Sequence, residues 1–424
     1  MLLLPIEIWH REAPSSILLA LEMVDQGYSV CLGAQPSVQS LARRYPYPSV
    51  YLDKSLSKAK EGWYQTLPKR LKIVGHDIEF TGMINPDLYA STRFSQKNIN
   101  RSSSIIFHNQ SEKNIIRSSF DNVKSPDFVG SHKFEFIAKF SNLLYQKKVK
   151  QLKAEYGRFT CIPSNFGGAF RDGGLPVLFK WADNHFEPEL SVKFKAKILA
   201  REKVRDAFIL AIRQIAEGVP HRNYIVRPHP TESIELWREV DFPENVFVIF
   251  EGPLLPYLIA CEQLMHAGCT SVIDGALLGK QQNVFLPDYN DVKSWPFYNI
   301  ASECENSVDD YVKASIKGAD ITLPDLKPDM TLIPTFDYYF LKFSEFLDDF
   351  IVKSTSAFVA KSLIKIISLF TSHKFNERKY SDEHHSEVLK MLKLSISIKG
   401  LESIIRVENV QGSRCVFLTK RPNS

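Results

Sequence analysis

The sequence predicts an α/β fold of two doubly wound domains facing each other across a cleft, followed by a mainly helical C-terminal extension. Three observations lead there. The chain has 424 residues, more than one hydrophobic core usually organises, so two domains are expected. Short apolar runs alternate with helical patterns from the start to Val129 and again from Phe159 to Leu286, which is the rhythm of βαβ units in a parallel sheet. Beyond about Leu323 the pattern becomes mostly helical. The expected boundaries are 1–155, 156–325 and 326–424.

In the first domain, Leu2 to Ile8 reads as a buried strand. Ser15 or Ser16 caps a helix whose apolar face is Ile17, Leu18, Leu21 and Val24, and Gly27 stands where a left-handed residue ends a helix. A strand at Tyr28–Leu32, a helix at Val38–Arg44 and a strand at Ser49–Leu52 follow. The pattern then predicts a helix over Tyr64–Val74 closed by Gly75, a strand at Asp77–Phe80, strands at Ser104–His108 and Asp127–Val129, and a helix at Glu112–Phe120 between the last two. A basic helical segment, Phe134–Tyr156, crosses to the second domain.

That domain opens with a strand at Phe159–Ile162, a loop-rich insertion at Gly167–Glu189 and a long helix at Val192–Glu217. Strands at Tyr224–Val226, Val246–Phe250, Gln263–His266 and Asn283–Leu286 then alternate with helices at Ile234–Val240, Leu254–Cys261 and Ser271–Leu278. The C-terminal extension carries helices at Tyr338–Val352 and Phe358–Phe370, a polar stretch at Ser372–Glu387 and a hairpin within Ile404–Leu418.

Lys and Arg number 53 against 48 Asp and Glu, a net charge of +5 that is too small for this length to predict a nucleic-acid partner. Six cysteines without a C-x-x-C pair fit a reduced, cytoplasmic compartment. The opening Met1–Ile8 lacks a basic flank and contains Pro5 and Glu7, so no secretory signal is expected. No apolar run approaches the roughly 20 residues that span a bilayer. Phe358, Ile364, Ile367 and Phe370, with Lys361, Lys365 and Lys374 nearby, suit peripheral attachment at an anionic membrane as well as core packing.

Two turns carry the candidate chemistry. Arg227-Pro228-His229-Pro230-Thr231-Glu232 follows a strand and opens a helix; Arg227 offers a planar donor fork, and His229 can donate to an oxyanion where the helix dipole also favours negative charge. His266-Ala267-Gly268-Cys269-Thr270-Ser271 does the same one unit later, with Gly268 allowing close backbone approach, Thr270 and Ser271 placing hydroxyls, and Asp274 able to accept from a ribose hydroxyl. Both turns lie at carboxyl ends of strands, so they converge on one crevice, where a nucleotide phosphate is the natural guest. The chain contains no G-x-x-x-x-G-K-[ST] loop and no opening G-x-G-x-x-G. No metal or cofactor is expected: no Asp-x-Asp motif is present, and His384 and His385 fall in a polar stretch.

Tyr224-Ile-Val-Arg-Pro-His-Pro, Glu251-Gly-Pro, Pro256-Tyr-Leu, His266-Ala-Gly-Cys-Thr-Ser and Ala276-Leu-Leu-Gly-Lys280 together resemble the donor half of bacterial surface-carbohydrate biosynthesis proteins. Leu4-Pro-Ile-Glu-Ile8, Arg11-Glu12, Gly33-Ala-Gln35 and Tyr51-Leu-Asp-Lys-Ser-Leu56 resemble the opening of the same proteins. These are similar to GT-B glycosyltransferases with two Rossmann-like domains, and in particular to retaining Kdo transferases that use a CMP-activated ulosonic acid. The family usually has Glu where Asp274 stands, and Asn-Thr-Asn-Phe where this chain has Pro163-Ser164-Asn165-Phe166. The resemblance implies that Arg227 and His229 contact the donor phosphate, that Thr270 and Ser271 supply the phosphate loop, and that Glu251 and Gly252 lie beside the nucleotide.

On the acceptor side, Glu7, Arg11, Glu12, Gln35, Asp53, Asp77 and Glu79 fall at or near strand ends. Glycosyl transfer passes through an oxocarbenium-like state, so a carboxylate nucleophile, stabiliser or base is required there. Glu79, Glu7 and Asp53 are the catalytic candidates, with Arg11, Glu12 and Gln35 on the acceptor side. The expected function is transfer of Kdo or a related sugar from a CMP donor to a glycan or lipid-linked glycan in capsule or lipopolysaccharide assembly, at the cytoplasmic face of the inner membrane. A CDP-glycerol-type polyol-phosphate transferase, a UDP-sugar 2-epimerase and a non-catalytic assembly protein are the alternatives.

Overall fold

The computed structural model describes residues 1–77, 86–171, 173–185, 188–319, 339–351, 382–399, 405–410 and 415–420. The chain divides into two units: Met1–Leu144 with the described residues of Met330–Ser424, and Tyr145–Asp329. Both are α/β, each with parallel strands between helices, as the alternating pattern predicts.

In the first unit β1 (Leu2–Ile6), β2 (Val30–Ala34), β3 (Ser49–Asp53), β4 (Leu71–Gly75) and β5 (Ser104–Ile105) are parallel and ordered β2-β1-β3-β4-β5. β1 to β3 are buried almost throughout, the composition expected of a sheet covered on both faces. One face packs Ile17, Ala20, Leu21 and Val24 of the helix Trp9–Asp25, the other Val38, Leu41 and Ala42 of the helix Gln35–Arg44. The first helix begins at Trp9, six residues before the expected Ser15 cap. Pro14 is carried inside it, and the Ser15 hydroxyl donates to the Glu12 carbonyl at 3.2 Å instead of capping.

The expected helix over Tyr64–Val74 is corrected to a short helix, Glu61–Gln65, followed by β4. Lys72 divides an apolar run with period two, but Lys69, Arg70 and Lys72 also fit a helix face, and pairing of β3 with β4 from Ser49↔Leu71 to Asp53↔Gly75 decides between them. The Asp127–Val129 segment is not a strand.

The second unit holds β6 (Phe159–Pro163), β7 (Asn223–Arg227), β8 (Val246–Val248), β9 (Gln263–His266), β10 (Gln281–Phe285) and β11 (Glu303–Glu305), all parallel, in the order β11-β10-β9-β6-β7-β8. The expected loop-rich insertion contains a helix, Gly174–His185, and the start of the long helix Pro188–Gly218. β11 and the helix Val308–Ala319 complete the unit beyond the last element that the pattern indicated.

β12 (Ile405–Val410) and β13 (Cys415–Lys420) form the expected hairpin, and β13 adds antiparallel to the free edge of β2, with Cys415 opposite Gly33 and Leu418 opposite Val30. The helices Tyr339–Asp348 and Asp382–Ile398 bury Phe343, Leu347, Val388 and Leu392 in the core of the first unit. The Tyr28 hydroxyl donates to the Ser344 carbonyl at 2.7 Å and to Asp348 at 2.6 Å. The second of these helices takes in 382–387 of the stretch expected to be polar, and 372–381 lie outside the described residues. Phe358, Ile364, Ile367 and Phe370 lie outside the described residues.

Candidate functional site

In the second unit the strand order reverses between β6 and β9. Open parallel sheets take ligands beyond the carboxyl ends of their strands at such a reversal, because the flanking connections diverge to opposite faces. Ser164–Gly167 leaves the sheet after β6, and Ala267–Thr270 after β9. Asn165 Nδ2 donates to the Ala267 carbonyl at 3.2 Å. Arg201, from the helix Pro188–Gly218, donates to that carbonyl at 2.9 Å and to Asn165 Oδ1. Its guanidinium stands 4.9 Å from the centre of the Phe166 ring. Burial lowers the Arg201 pKa, with Asp288 the main opposing charge. Its hydrogen-bond acceptors here are neutral, so an anion placed beside it would recover interaction lost on desolvation.

The turn after β7 is held by Glu232. This buried carboxylate accepts from the amides of Phe166 at 2.5 Å, Gly167 at 3.0 Å and His229 at 3.1 Å, from Trp237 Nε1 at 2.8 Å and from the Ser164 hydroxyl. It thereby ties the β6 and β7 ends into one rigid floor. His229 Nδ1 accepts the Thr231 amide at 3.3 Å and lies 2.8 Å from Thr231 Oγ1. Accepting at Nδ1 places the proton of the ring's neutral tautomer on Nε2.

Arg227 is placed differently from the open-cleft ligand that the sequence suggests. It is buried, donating to the carbonyls of Ile249 at 2.9 Å, Glu251 at 2.8 Å and Gly252 at 2.6 Å, with its guanidinium 4.2 Å from the Tyr257 ring centre. Its donors position the exposed Glu251-Gly252 loop. In the turn after β9, Gly268 has φ +66°, a left-handed conformation that side chains disfavour. The Cys269 amide donates to His266 Nδ1 at 3.1 Å, and burial pushes the His266 pKa down to about 3, which keeps that ring neutral. The Ser271 side chain is buried at the start of the helix Ser271–Leu277, and Asp274 is half-buried one turn further on.

The first unit has a second site. Its strand order reverses between β1 and β3, and a cavity of about 30 Å³ at that place is lined by Glu7, Glu12, Gln35, Lys54, His76 and His132 among others. Lys54 joins Glu7 at 2.7 Å and Glu12 at 2.8 Å, and the Glu7 amide donates to the second Glu12 oxygen at 2.7 Å. Burial lowers the Lys54 pKa, but the two carboxylates outweigh it and hold it raised. His76 and His132 are buried with ring centres 5.2 Å apart. Burial, then the neighbouring histidines His132 and His108, lowers the His76 pKa; burial, then His108, lowers that of His132 to about 3. Neutral imidazoles therefore face a carboxylate pair held by one ammonium.

Of the other first-unit candidates, Arg11 is exposed on the first turn of the helix Trp9–Asp25. Asp53 is fully enclosed, its oxygens taken by Lys60, by the Ser55 amide at 3.4 Å and by the Tyr64 hydroxyl at 2.7 Å, which makes it a brace for the loop after β3. Asp77 is buried in a two-pronged ion pair with Arg93 at 2.9 and 2.7 Å. Glu79 lies outside the described residues.

Sequence reasoning missed Arg201, Glu232, Lys54, His76 and His132. Glu232 carries a signal, standing three residues after His229 in the turn that precedes a helix, a spacing at which a carboxylate reaches back to a backbone amide. Arg201 carries none, since it sits mid-helix among other basic residues.

No family model matches the sequence, and no curated protein matches it. Among solved structures, the chain is similar to the UDP-GlcNAc 2-epimerase of Methanocaldococcus jannaschii in complex with UDP-GlcNAc and UDP, at 10% identity, covering 77% of this chain and 94% of that one with a TM-score of 0.48. The UDP-GlcNAc 2-epimerase of Neisseria meningitidis bound to UDP-GlcNAc is 14% identical over 75% of this chain and 99% of its own, with a TM-score of 0.46. The wall teichoic acid polymerase TagF is 10% identical over 77% and 73%, with a TM-score of 0.38.

Proposed function

We propose that this chain is a glycosyltransferase of bacterial surface-polysaccharide assembly that binds a nucleotide-activated sugar, with a CMP-linked ulosonic acid such as Kdo favoured, at the β6–β9 reversal of the second unit. The observation that carries this reading is the meeting of Arg201 and Asn165 at the Ala267 carbonyl, which opens the turn after β9, with the His229 turn fixed beside it by Glu232. A half-buried guanidinium, an imidazole and a glycine turn are what a phosphate at a strand end needs. Arg227 acts here as the positioning residue for the Glu251-Gly252 loop, whose backbone groups would read the base.

A thermal-shift panel with CMP, CDP and UDP tests the donor class, since a ligand bound only by the native state raises the midpoint. The largest shift is expected with CMP. A shift with UDP alone would point to the epimerase reading, and one with CDP alone to the polyol-phosphate reading.

The first unit supplies the acceptor side in this proposal, with Glu79 as the catalytic carboxylate and Glu7, Glu12, Arg11 and Gln35 around the acceptor. A group used only in the transition state lowers kcat without changing donor affinity. Glu79→Gln is therefore expected to lose more than about tenfold in turnover, roughly 1.4 kcal/mol, at unchanged nucleotide Kd. Retention of most turnover moves the role to Glu7, whose carboxylate is tied to Lys54.

A further inference from the structure

The cavity at the β1–β3 reversal of the first unit differs between its rim and its interior. Glu7, Gln35 and Lys54 are half-buried and mark its open side, whereas Leu4, Ser16, Leu52, His76 and His132 are buried within it. Several of its polar groups are already engaged. Glu12 accepts from Lys54 with one oxygen and from the Glu7 amide with the other. His76 Nε2 lies 3.1 Å from the Gly130 carbonyl, which can only accept, so the ring proton is on that nitrogen and Nδ1 faces the Tyr339 hydroxyl at 3.4 Å. His132 is different. It is 2% exposed, and its Nδ1 has no hydrogen-bond partner among the described residues. Burial, then His108, lowers its pKa to about 3, so the ring is neutral. A buried ring nitrogen in this condition costs free energy that a hydroxyl placed against it recovers.

Size and chemistry narrow what can enter. The cavity measures about 30 Å³, and a water-sized atom takes roughly 10–15 Å³ of such space, so about two non-hydrogen atoms fit. Leu4 and Leu52 offer an apolar wall to a carbon, while the neutral His132 ring, the Ser16 hydroxyl and the Gln35 amide each combine a donor with an acceptor. A hydroxyl matches groups of that kind, since it also does both. An anion does not, because two carboxylates share the one ammonium of Lys54 and a negative group arriving there meets Glu7. We propose that the cavity receives the hydroxymethyl group of a neutral pyranose, with its methylene against Leu4 and Leu52 and its hydroxyl on His132 and Ser16. The sugar ring itself lies over the half-buried rim. On the reading of the first unit as the acceptor side, on which this rests, the acceptor presents a hexose rather than a pentose or a uronic acid, and His132 determines that specificity.

The test is a ligand-observed NMR titration of the full chain with three matched pairs of methyl pyranosides: glucoside with xyloside, galactoside with arabinoside, and mannoside with lyxoside. Within each pair only the hydroxymethyl group differs. At least one hexoside should bind with a dissociation constant on the order of 1 mM, the strength expected for a ligand of this size. Its pentose counterpart should bind at least about fivefold more weakly, because a site that hydrogen-bonds a hydroxyl discriminates against an analogue without it. The matching uronide, with a carboxylate in place of the hydroxymethyl group, should lose at least about as much. His132→Phe keeps a ring but removes both nitrogens and should abolish the hexoside preference. Ser16→Ala removes only a hydroxyl and should cut that preference at least about twofold, which keeps the test decisive if His132→Phe does not fold. Circular dichroism identifies the folded variants. Binding of no hexoside, equal binding within every pair, tighter binding of the uronide, or an unchanged preference in either folded variant overturns the proposal. CMP is titrated separately, so its failure to bind strikes the nucleotide site alone and leaves the hexoside result standing.

Discussion

Replacing Glu232 by alanine is expected to lower the stability of the second unit by about 3–5 kcal/mol, the range for breaking a buried charged network by removing one partner. The carboxylate accepts from three backbone amides, an indole N–H and a hydroxyl. Each donor left buried without an acceptor costs about 1–3 kcal/mol, of which water entering the gap recovers part. For a unit of this size the midpoint should fall by roughly 10 °C. Glu232→Gln keeps the volume but turns an amide NH2 towards donors, so its loss should be intermediate. Differential scanning calorimetry decides the matter. A change below about 1 kcal/mol in the alanine variant would mean that those donors find other acceptors, and that Glu232 does not fix the phosphate-side turns.

Acid is expected to destabilise both units well before carboxylates titrate. His132 in the first unit and His266 in the second have folded-state pKa values pushed by burial to about 3, and burial with His132 and His108 lowers that of His76. The unfolded chain binds these protons near pH 6.5, so the unfolded state carries more protons than the native state below that value. Stability contributed by the neutral rings is thus full above pH 6.5 and is lost as the pH falls towards 3. Between pH 6.5 and 5 His132 and His266 should each cost about 2 kcal/mol, and over the whole window on the order of 4 kcal/mol. Urea titrations at stepped pH should show the slope, and His132→Asn and His266→Asn should each flatten it for their own unit. Equal stability at pH 7 and pH 5 would contradict burial of these rings in neutral form.

The α/β class was legible because parallel strands covered on both faces leave long apolar runs, and β1, β3, β6, β7 and β9 were each found within a residue or two. β4 was misread for a physical reason: Leu71, Ile73 and Val74 fit both periods, and only the neighbouring strand decides. Insertion of β13 beside β2 was invisible, since the bonds join Cys415–Leu418 to Val30–Gly33, nearly the whole chain length away. Within the site, strand-end turns announced themselves through Pro, Gly and hydroxyl residues. The side chains that bridge them did not. Arg201 reaches the β6–β9 reversal from the middle of a helix, and its position there follows from packing on Phe166 rather than from any local motif. Arg227, by contrast, had the strongest local motif and turns out to hold the 249–252 loop.

In the proposed nucleotide-phosphate site at the β6–β9 reversal, Arg201 and His229 are the phosphate ligands, which isothermal titration of CMP into wild type, Arg201→Ala and His229→Ala can establish. A single site is expected in wild type and at least about tenfold weaker binding in each variant, roughly 1.4 kcal/mol, at an unfolding midpoint close to that of wild type. Arg201 contributes most because a partly desolvated guanidinium gains more from an anion than a solvated one does. Equal CMP affinity in all three proteins would rule out Arg201 and His229 as phosphate ligands and move the nucleotide away from this end of the sheet.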